Sequence, residues 1–233
     1  MSVRSALQKI NQELEGSSAR LVAVSKTFPS SAIWEAYDAD QRIFGESKAQ
    51  ELAEKYASLP KDIEWHFIGH LQTNKVKYIA PFIKLIHSVD SFKLLQAIDK
   101  EAAKNERVID VLLQVHIAQE EAKFGLDESE ILAIFADPVY KALNNVRVCG
   151  LMGMATNSTD VRLLDKEFLS LADLFSRLKH NIFSHSKGQH FTELSMGMSN
   201  DYPLGVKRGA TLVRIGSRIF GGRVYAAETK AEN

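Results

Sequence analysis

Short apolar runs, bounded by glycine, proline or polar clusters, recur along this chain, and segments of helical period lie between them. Leu7, Ile10 and Leu14 fall at helical intervals, which predicts an amphipathic first helix over residues 2–15 that stops at Gly16. The apolar runs predict strands at 21–25, 42–44, 64–68, 85–89, 111–117, 146–152, 192–196 and 212–215. Helical patterns fill most gaps, at 31–37, 47–58, 74–79, 92–105, 128–136, 161–178 and 201–207. Strands alternating with helices imply βαβ units and a parallel sheet. Such crossovers are right-handed, so repeated units curl the same way. Eight units in about 200 residues suit a single (β/α)8 TIM barrel with an extra N-terminal helix. A doubly wound open sheet is the alternative, but it needs fewer strands, and no G-x-G-x-x-G follows the first strand.

Composition narrows the class. Hydrophobic residues at 45% and charged residues at 25% are those of an ordinary globular protein. A core drawn from 233 residues needs no disulfide or metal to hold it. No long linker or low-complexity tract divides residues 1–233, and only a short, mostly polar tail follows the eighth strand, so one domain is expected. The 29 basic and 29 acidic residues cancel, which argues against nucleic acid as a partner. No window is apolar for long enough to span a membrane. Arg4, Lys9, Glu13 and Glu15 break up what would be the apolar core of a signal peptide. Cys149 is the one cysteine, which excludes an internal disulfide and a thiolate zinc site. The expectation is a cytoplasmic protein that engages neither nucleic acid nor membrane.

Candidate chemistry collects where a barrel would place it, at the C-terminal ends of the strands. Leu21-Val-Ala-Val-Ser-Lys26-Thr27 runs from a buried strand into polar residues. A lysine half out of water there has its charged form disfavoured, and its amine becomes a nucleophile. The alternative is a solvated strand-end lysine. After the last strand, Gly216 and Ser217 open a short segment before Gly221. A glycine there lets an anion approach the backbone N–H groups, and Ser217 and Ser195 offer hydroxyls. A tight turn with a serine cap reads equally well. Arg214 alternates with Val213 and Ile215, so it faces either the barrel mouth or the helix carboxylates outside. His66 and His70 are four apart, but on a strand that is roughly 13 Å, too far for one metal. His180, His185 and His190 belong to a polar connection into the seventh strand rather than to a metal site. Met152, Met154, Met196 and Met198 read as barrel filling or pocket wall.

The residues from Leu21 to Arg223 resemble the pyridoxal-phosphate homeostasis proteins, the YggS/PROSC family. The resemblance is carried by Ala23-Val-Ser-Lys26, Phe44-Gly-Glu46, Trp65-His-Phe-Ile-Gly-His-Leu-Gln72 with Asn74-Lys75, and Gly150-Leu-Met152. It continues in Leu194-Ser-Met-Gly-Met-Ser199 and in Val213-Arg-Ile-Gly216 with Ile219-Phe-Gly221. It implies a barrel like the N-terminal domain of alanine racemase, with pyridoxal 5′-phosphate held as a Schiff base on Lys26. It implies phosphate contacts from Ser195, Gly216 and Ser217, a cofactor contact from Met196, and Arg214 facing the pyridine nitrogen. It further implies a monomer that serves vitamin B6 and amino-acid homeostasis, with pyridoxal-phosphate-dependent apo-enzymes as recipients. The chain departs from the family at Ser47, where asparagine is usual, at Lys48, where an aromatic is common, and at Ser217, where threonine is usual.

These features also bear on turnover. Moving a proton between two faces of a substrate needs an acid/base on each face, and Lys26 supplies one. An arginine at the ring nitrogen keeps its own proton and leaves the ring a weaker electron sink. Binding without clear turnover is the leading expectation. A slow amino-acid racemase or lyase using the same cofactor is the first alternative. The second is direct bonding of Lys26 to a sugar phosphate, as in barrel aldolases.

Overall fold

Eight strands pair in chain order and close on themselves in the computed structural model, which describes residues 2–120, 124–184 and 189–222. The strands are β1 (Arg20–Val24), β2 (Ile43–Glu46), β3 (Glu64–Phe67), β4 (Leu85–Val89), β5 (Ile109–Val115), β6 (Val146–Gly153), β7 (Glu193–Met198) and β8 (Leu212–Ile215). All neighbours are parallel, and β1 closes the ring on β8 with Arg20 opposite Leu212 and Ala23 opposite Ile215. Closure removes both sheet edges, the usual route to unwanted pairing.

The helices are α1 (Val3–Leu14), α2 (Ser30–Tyr37), α3 (Ala49–Ser58), α4 (Val76–Ile79), α5 (Phe92–Lys104), α6 (Glu128–Ala136), α7 (Pro138–Ala142), α8 (Val161–Asn181), α9 (Tyr202–Lys207) and α10 (Ser217–Phe220). Local signals start several of them. The Ser2 side chain accepts from the Ser5 amide, Ser91 accepts from the Leu94 amide, and Asp127 and Glu130 form a reciprocal capping box. The expected first helix is present with its predicted apolar stripe, Leu7, Ile10 and Leu14, buried. Two helices are additions to the sequence expectation. Pro138 at the first position starts α7, and the short segment after Gly216 coils into α10.

Strand alternation sorts the core into two layers. Val22, Leu85, Leu112, Cys149, Met152 and Leu212 form a small cluster of their own, the filling of the barrel. Ala23, Phe44, Trp65, Phe67, Ile86, Val111, Leu113, Val213 and Ile215 pack in the larger cluster with helix residues such as Leu52, Leu95 and Phe168. The alternation slips at glycines. Cys149 faces in and Leu151 faces out although they are two apart, because the β5–β6 register shifts beside Gly150. Gly150 has φ +156°, and a Cβ there would meet the Glu193 carbonyl oxygen at 1.7 Å, so only glycine serves. No helix among the described residues is long and apolar enough to cross a membrane.

Candidate functional site

The end of β1 is held by a buried ionic cluster. Glu46 ends β2 with no exposure, and Lys55 reaches it from α3. The Glu46 Oε1 atom accepts from the Ser25 hydroxyl at 2.6 Å and from Lys55 Nζ at 2.8 Å. Lys55 also donates to the Ser25 carbonyl at 3.0 Å and to Glu51 at 2.8 Å. Glu51 in turn accepts from the Thr27 amide at 2.9 Å, and Thr27 sits at φ 70°, an uncommon left-handed conformation for a threonine. The residues on both sides of Lys26 are therefore fixed, and Lys26 itself is half-buried. Burial raises the Glu46 pKa against the opposing pull of Lys55, and Glu46 Oε2 is buried without a partner among the described residues.

Lys26 opens into a cavity of about 470 Å3 at the C-terminal ends of the strands. Arg214, Gly216, Ser217, Met198, Ser199 and Asp201 share its wall. That volume lies within the range of small-ligand pockets. Arg214 resolves the parity question in favour of the interior: it is almost fully buried, while Val213 and Ile215 face the helices. Its Nη1 donates to Ser195 Oγ at 2.6 Å and its Nη2 to the Gly153 carbonyl at 3.0 Å. Desolvation pulls its pKa down to about 10, against the opposing charge of Asp201, and so leaves it cationic at neutral pH.

Gly216 lies where β8 turns into α10. A Cβ there would stand 3.1 Å from the Val24 carbonyl oxygen and 3.3 Å from the Val24 Cβ, so the glycine lets α10 close on β1. Its amide donates to the Ser199 hydroxyl at 3.3 Å, bringing a second loop to the same corner. Asp201 Oδ1 accepts from the Met198 amide at 2.5 Å and fixes that loop.

Four predicted site residues, Lys26, Arg214, Gly216 and Ser217, thus meet in one cavity. Ser195 and Met196 are not among the residues that line it, so the structure does not bring them together with the other four. Ser195 points into the barrel beneath Arg214, with no exposure, and bonds to Arg214 and His87. Met196 is the next residue, so it points the other way, into the helix layer. Gly197 then adopts φ +90° and the β7–β8 register shifts, which brings Met198 and Ser199 to the cavity instead. Of the four methionines, Met152 fills the barrel and Met154 and Met198 form cavity wall, whereas Met196 belongs to the outer layer.

Ser47 and Lys48 are not cavity residues; a Cβ on Gly69 would collide with the Ser47 backbone, so that loop packs on the β3 turn. His66 lies inside the barrel, and His70 pairs with Asp90 at 3.0 Å, so the two rings have separate surroundings. His180 bonds to the Ser176 carbonyl within α8, whereas His185 and Arg223 lie outside the described residues. Sequence reading missed the clamp role of Lys55 and the buried pair His66–His87. Lys55 sits four residues after Glu51, the spacing of a solvated helix pair, and nothing local marks it as buried.

The donor set has a chemistry of its own. One amine, one fixed guanidinium, two hydroxyls and a backbone amide at a glycine turn suit an anionic carbonyl compound better than a neutral ligand. Pyridoxal phosphate has an aldehyde for Lys26, a ring nitrogen for Arg214 and a phosphate for the Ser199–Gly216–Ser217 corner, so these residues fit it.

Known proteins of similar sequence and shape are named for that cofactor. Residues 2–224 match the family model for the alanine racemase N-terminal domain. The chain is 40% identical to a pyridoxal phosphate homeostasis protein of Aquifex aeolicus, covering 89% of this chain and 88% of that one. It is 34% identical to another of the same name from Haemophilus influenzae, over 97% and 98% of the two chains. The solved structure of PipY from Synechococcus elongatus, with pyridoxal phosphate bound, superposes with a TM-score of 0.84. The two are 35% identical, over 94% of this chain and all of that one. An alanine racemase of Bartonella henselae shares the fold at a TM-score of 0.70 and 16% identity, over 95% of this chain and 58% of that one.

Proposed function

The chain belongs to the pyridoxal phosphate homeostasis proteins, and from that premise we propose that it binds pyridoxal 5′-phosphate in the 470 Å3 cavity and serves vitamin B6 and amino-acid homeostasis. The observation that carries the reading is the meeting of Lys26, Arg214, Gly216 and Ser217 from opposite ends of the sequence in that one cavity. When bound, the cofactor supplies an electrophilic aldehyde carbon and a ring that can accept electron density. Lys26 is the amine that bonds to the aldehyde. Ser199, Ser217 and the Gly216 amide hold the phosphate, with Ser199 taking the place that sequence reading gave to Ser195. Arg214 donates to the ring nitrogen and keeps its own proton, which weakens the ring as an electron sink.

The same residues account for binding without clear turnover. Lys26, Asp201 and Arg214 are the ionisable groups among the described cavity residues. Arg214 does not give up its proton near neutral pH, and Asp201 is engaged with the Met198 amide. A second acid/base to work opposite Lys26 is thus lacking among the described cavity residues, which supports a carrier rather than a racemase. The barrel runs from Val3 to Phe220 around one closed sheet, which supports a single domain, and the oligomeric state we infer is a monomer. The recipients we infer are cytoplasmic apo-enzymes that use the same cofactor.

The test is optical. Purified protein given pyridoxal phosphate should turn yellow and lose the colour to a carbonyl scavenger, and Lys26→Ala should fold but stay colourless. A coloured Lys26→Ala protein that resists washing would overturn the assignment.

A further inference from the structure

Beneath Arg214 a line of side chains runs down the barrel axis. Arg214 Nη1 reaches Ser195 Oγ at 2.6 Å, Ser195 Oγ reaches His87 Nδ1 at 2.9 Å, and His87 Nε2 reaches His66 Nδ1 at 2.9 Å. All four residues are buried, and they come from β8, β7, β4 and β3 in turn. At the far end His66 lines a second cavity, about 230 Å3, with Arg20, Glu64 and Asp110, residues from the N-terminal side of the barrel.

Hydrogen-bond chemistry gives this line one direction. A guanidinium only donates, so Ser195 accepts from it. A serine oxygen can accept twice, but among the described residues the one acceptor for the Ser195 proton is His87 Nδ1, which favours donation from Ser195. That makes His87 the Nε2–H tautomer, which donates onward to His66 Nδ1 and leaves the His66 proton on Nε2. Desolvation keeps both rings neutral: His66 is pushed down to about 3, and His87 falls well below its ordinary value. A neutral line of this kind asks for no counter-charge and gives up none of the Arg214 charge.

We propose that Ser195, His87 and His66 are positioning residues for Arg214, a hydrogen-bonded line of single polarity that couples the loaded state of the cofactor cavity to the opposite mouth of the barrel. The inference rests on the reading that Arg214 faces the bound cofactor. When a ring nitrogen draws on the guanidinium, its bond to Ser195 changes, and hydrogen bonds in a chain polarise one another.

Nuclear magnetic resonance of 15N-histidine-labelled protein tests this. In the cofactor-free wild type both rings should be neutral Nε2–H tautomers; Nδ1–H on either ring overturns the polarity. On addition of pyridoxal phosphate the His66 ring nitrogens should shift, although His66 lies outside the cofactor cavity. Ser195→Ala should still load at Lys26 but lose that shift, and Ser195→Thr should restore it. A loaded wild type whose His66 signals do not move, or a shift that survives Ser195→Ala, overturns the coupling while leaving the proposed function intact. Failure of the cofactor to bond to Lys26 would sink that function and the coupling together, and the tautomers of the free protein would still decide the polarity.

Discussion

Burying a titratable group leaves a signature in the pH dependence of stability, and His66 and His87 supply one. Their folded pKa values lie below the ordinary 6.5, so below that pH the unfolded chain takes up protons that the folded chain refuses. Stability is lost as pH falls, by up to about 1.4 kcal/mol per pH unit for each ring. The raised pKa of Glu46 works in the opposite sense, because there the folded chain binds the extra proton. Denaturant unfolding between about pH 5 and 6 should therefore show a shallower decline in His87→Gln than in the wild type. Equal slopes would mean that His87 is charged or solvated when folded. At the same scale, Lys55→Met strands Glu46 without its cation and should cost about 3–5 kcal/mol, measured as a drop in unfolding free energy. The double variant Lys55→Met with Glu46→Gln should recover part of that loss, and no recovery would show that the ion pair is not the source. Lys26 and Arg214 could be singled out in the sequence because a strand end and a strand mark them, but alternation left open which way Arg214 faces. The cluster that holds Ser25 and Thr27 on either side of Lys26 could not be, since Lys55 and Glu46 become neighbours only when α3 packs across β2.

Among the elements, alternation located the strands, and glycines decided where it breaks. Ser195, Met196, Met198 and Ser199 look equivalent in sequence. Alternation sends the first beneath the cavity and the second into the helix layer, and the turn at Gly197 brings the last two to the wall. No property of Ser195 or Ser199 alone distinguishes them, which is why sequence reading could not say which hydroxyl reaches the cavity wall. At the β8–α10 corner the glycine and the serine directly after an apolar strand do reach the cavity wall. Gly216 itself is a poor site for a test, since any side chain there presses on Val24 at the root of Lys26. Ser217→Ala is cleaner. A charge-assisted hydrogen bond contributes about 1.5–3 kcal/mol, so pyridoxal phosphate should bind roughly tenfold to a hundredfold more weakly. Unphosphorylated pyridoxal should bind as before. Equal weakening of both ligands would show that α10 does not touch the phosphate.

For the whole molecule, the sequence carries the barrel because eight apolar runs and their helices admit few other topologies. What it does not carry is depth along the barrel axis, which sets His66, level with Leu85 beside the second cavity, apart from the cofactor cavity above. That depth is what brings Lys26 of the first strand and Arg214 of the last to one cavity, with a neutral polar column beneath the guanidinium. The central claim is that this arrangement holds pyridoxal phosphate through Lys26. Borohydride reduction of the loaded protein, followed by digestion and peptide mass analysis, tests it most directly. The account predicts a pyridoxyl group on Lys26 and on no other lysine, whereas a group on Lys48 or Lys75, or none at all, would contradict it.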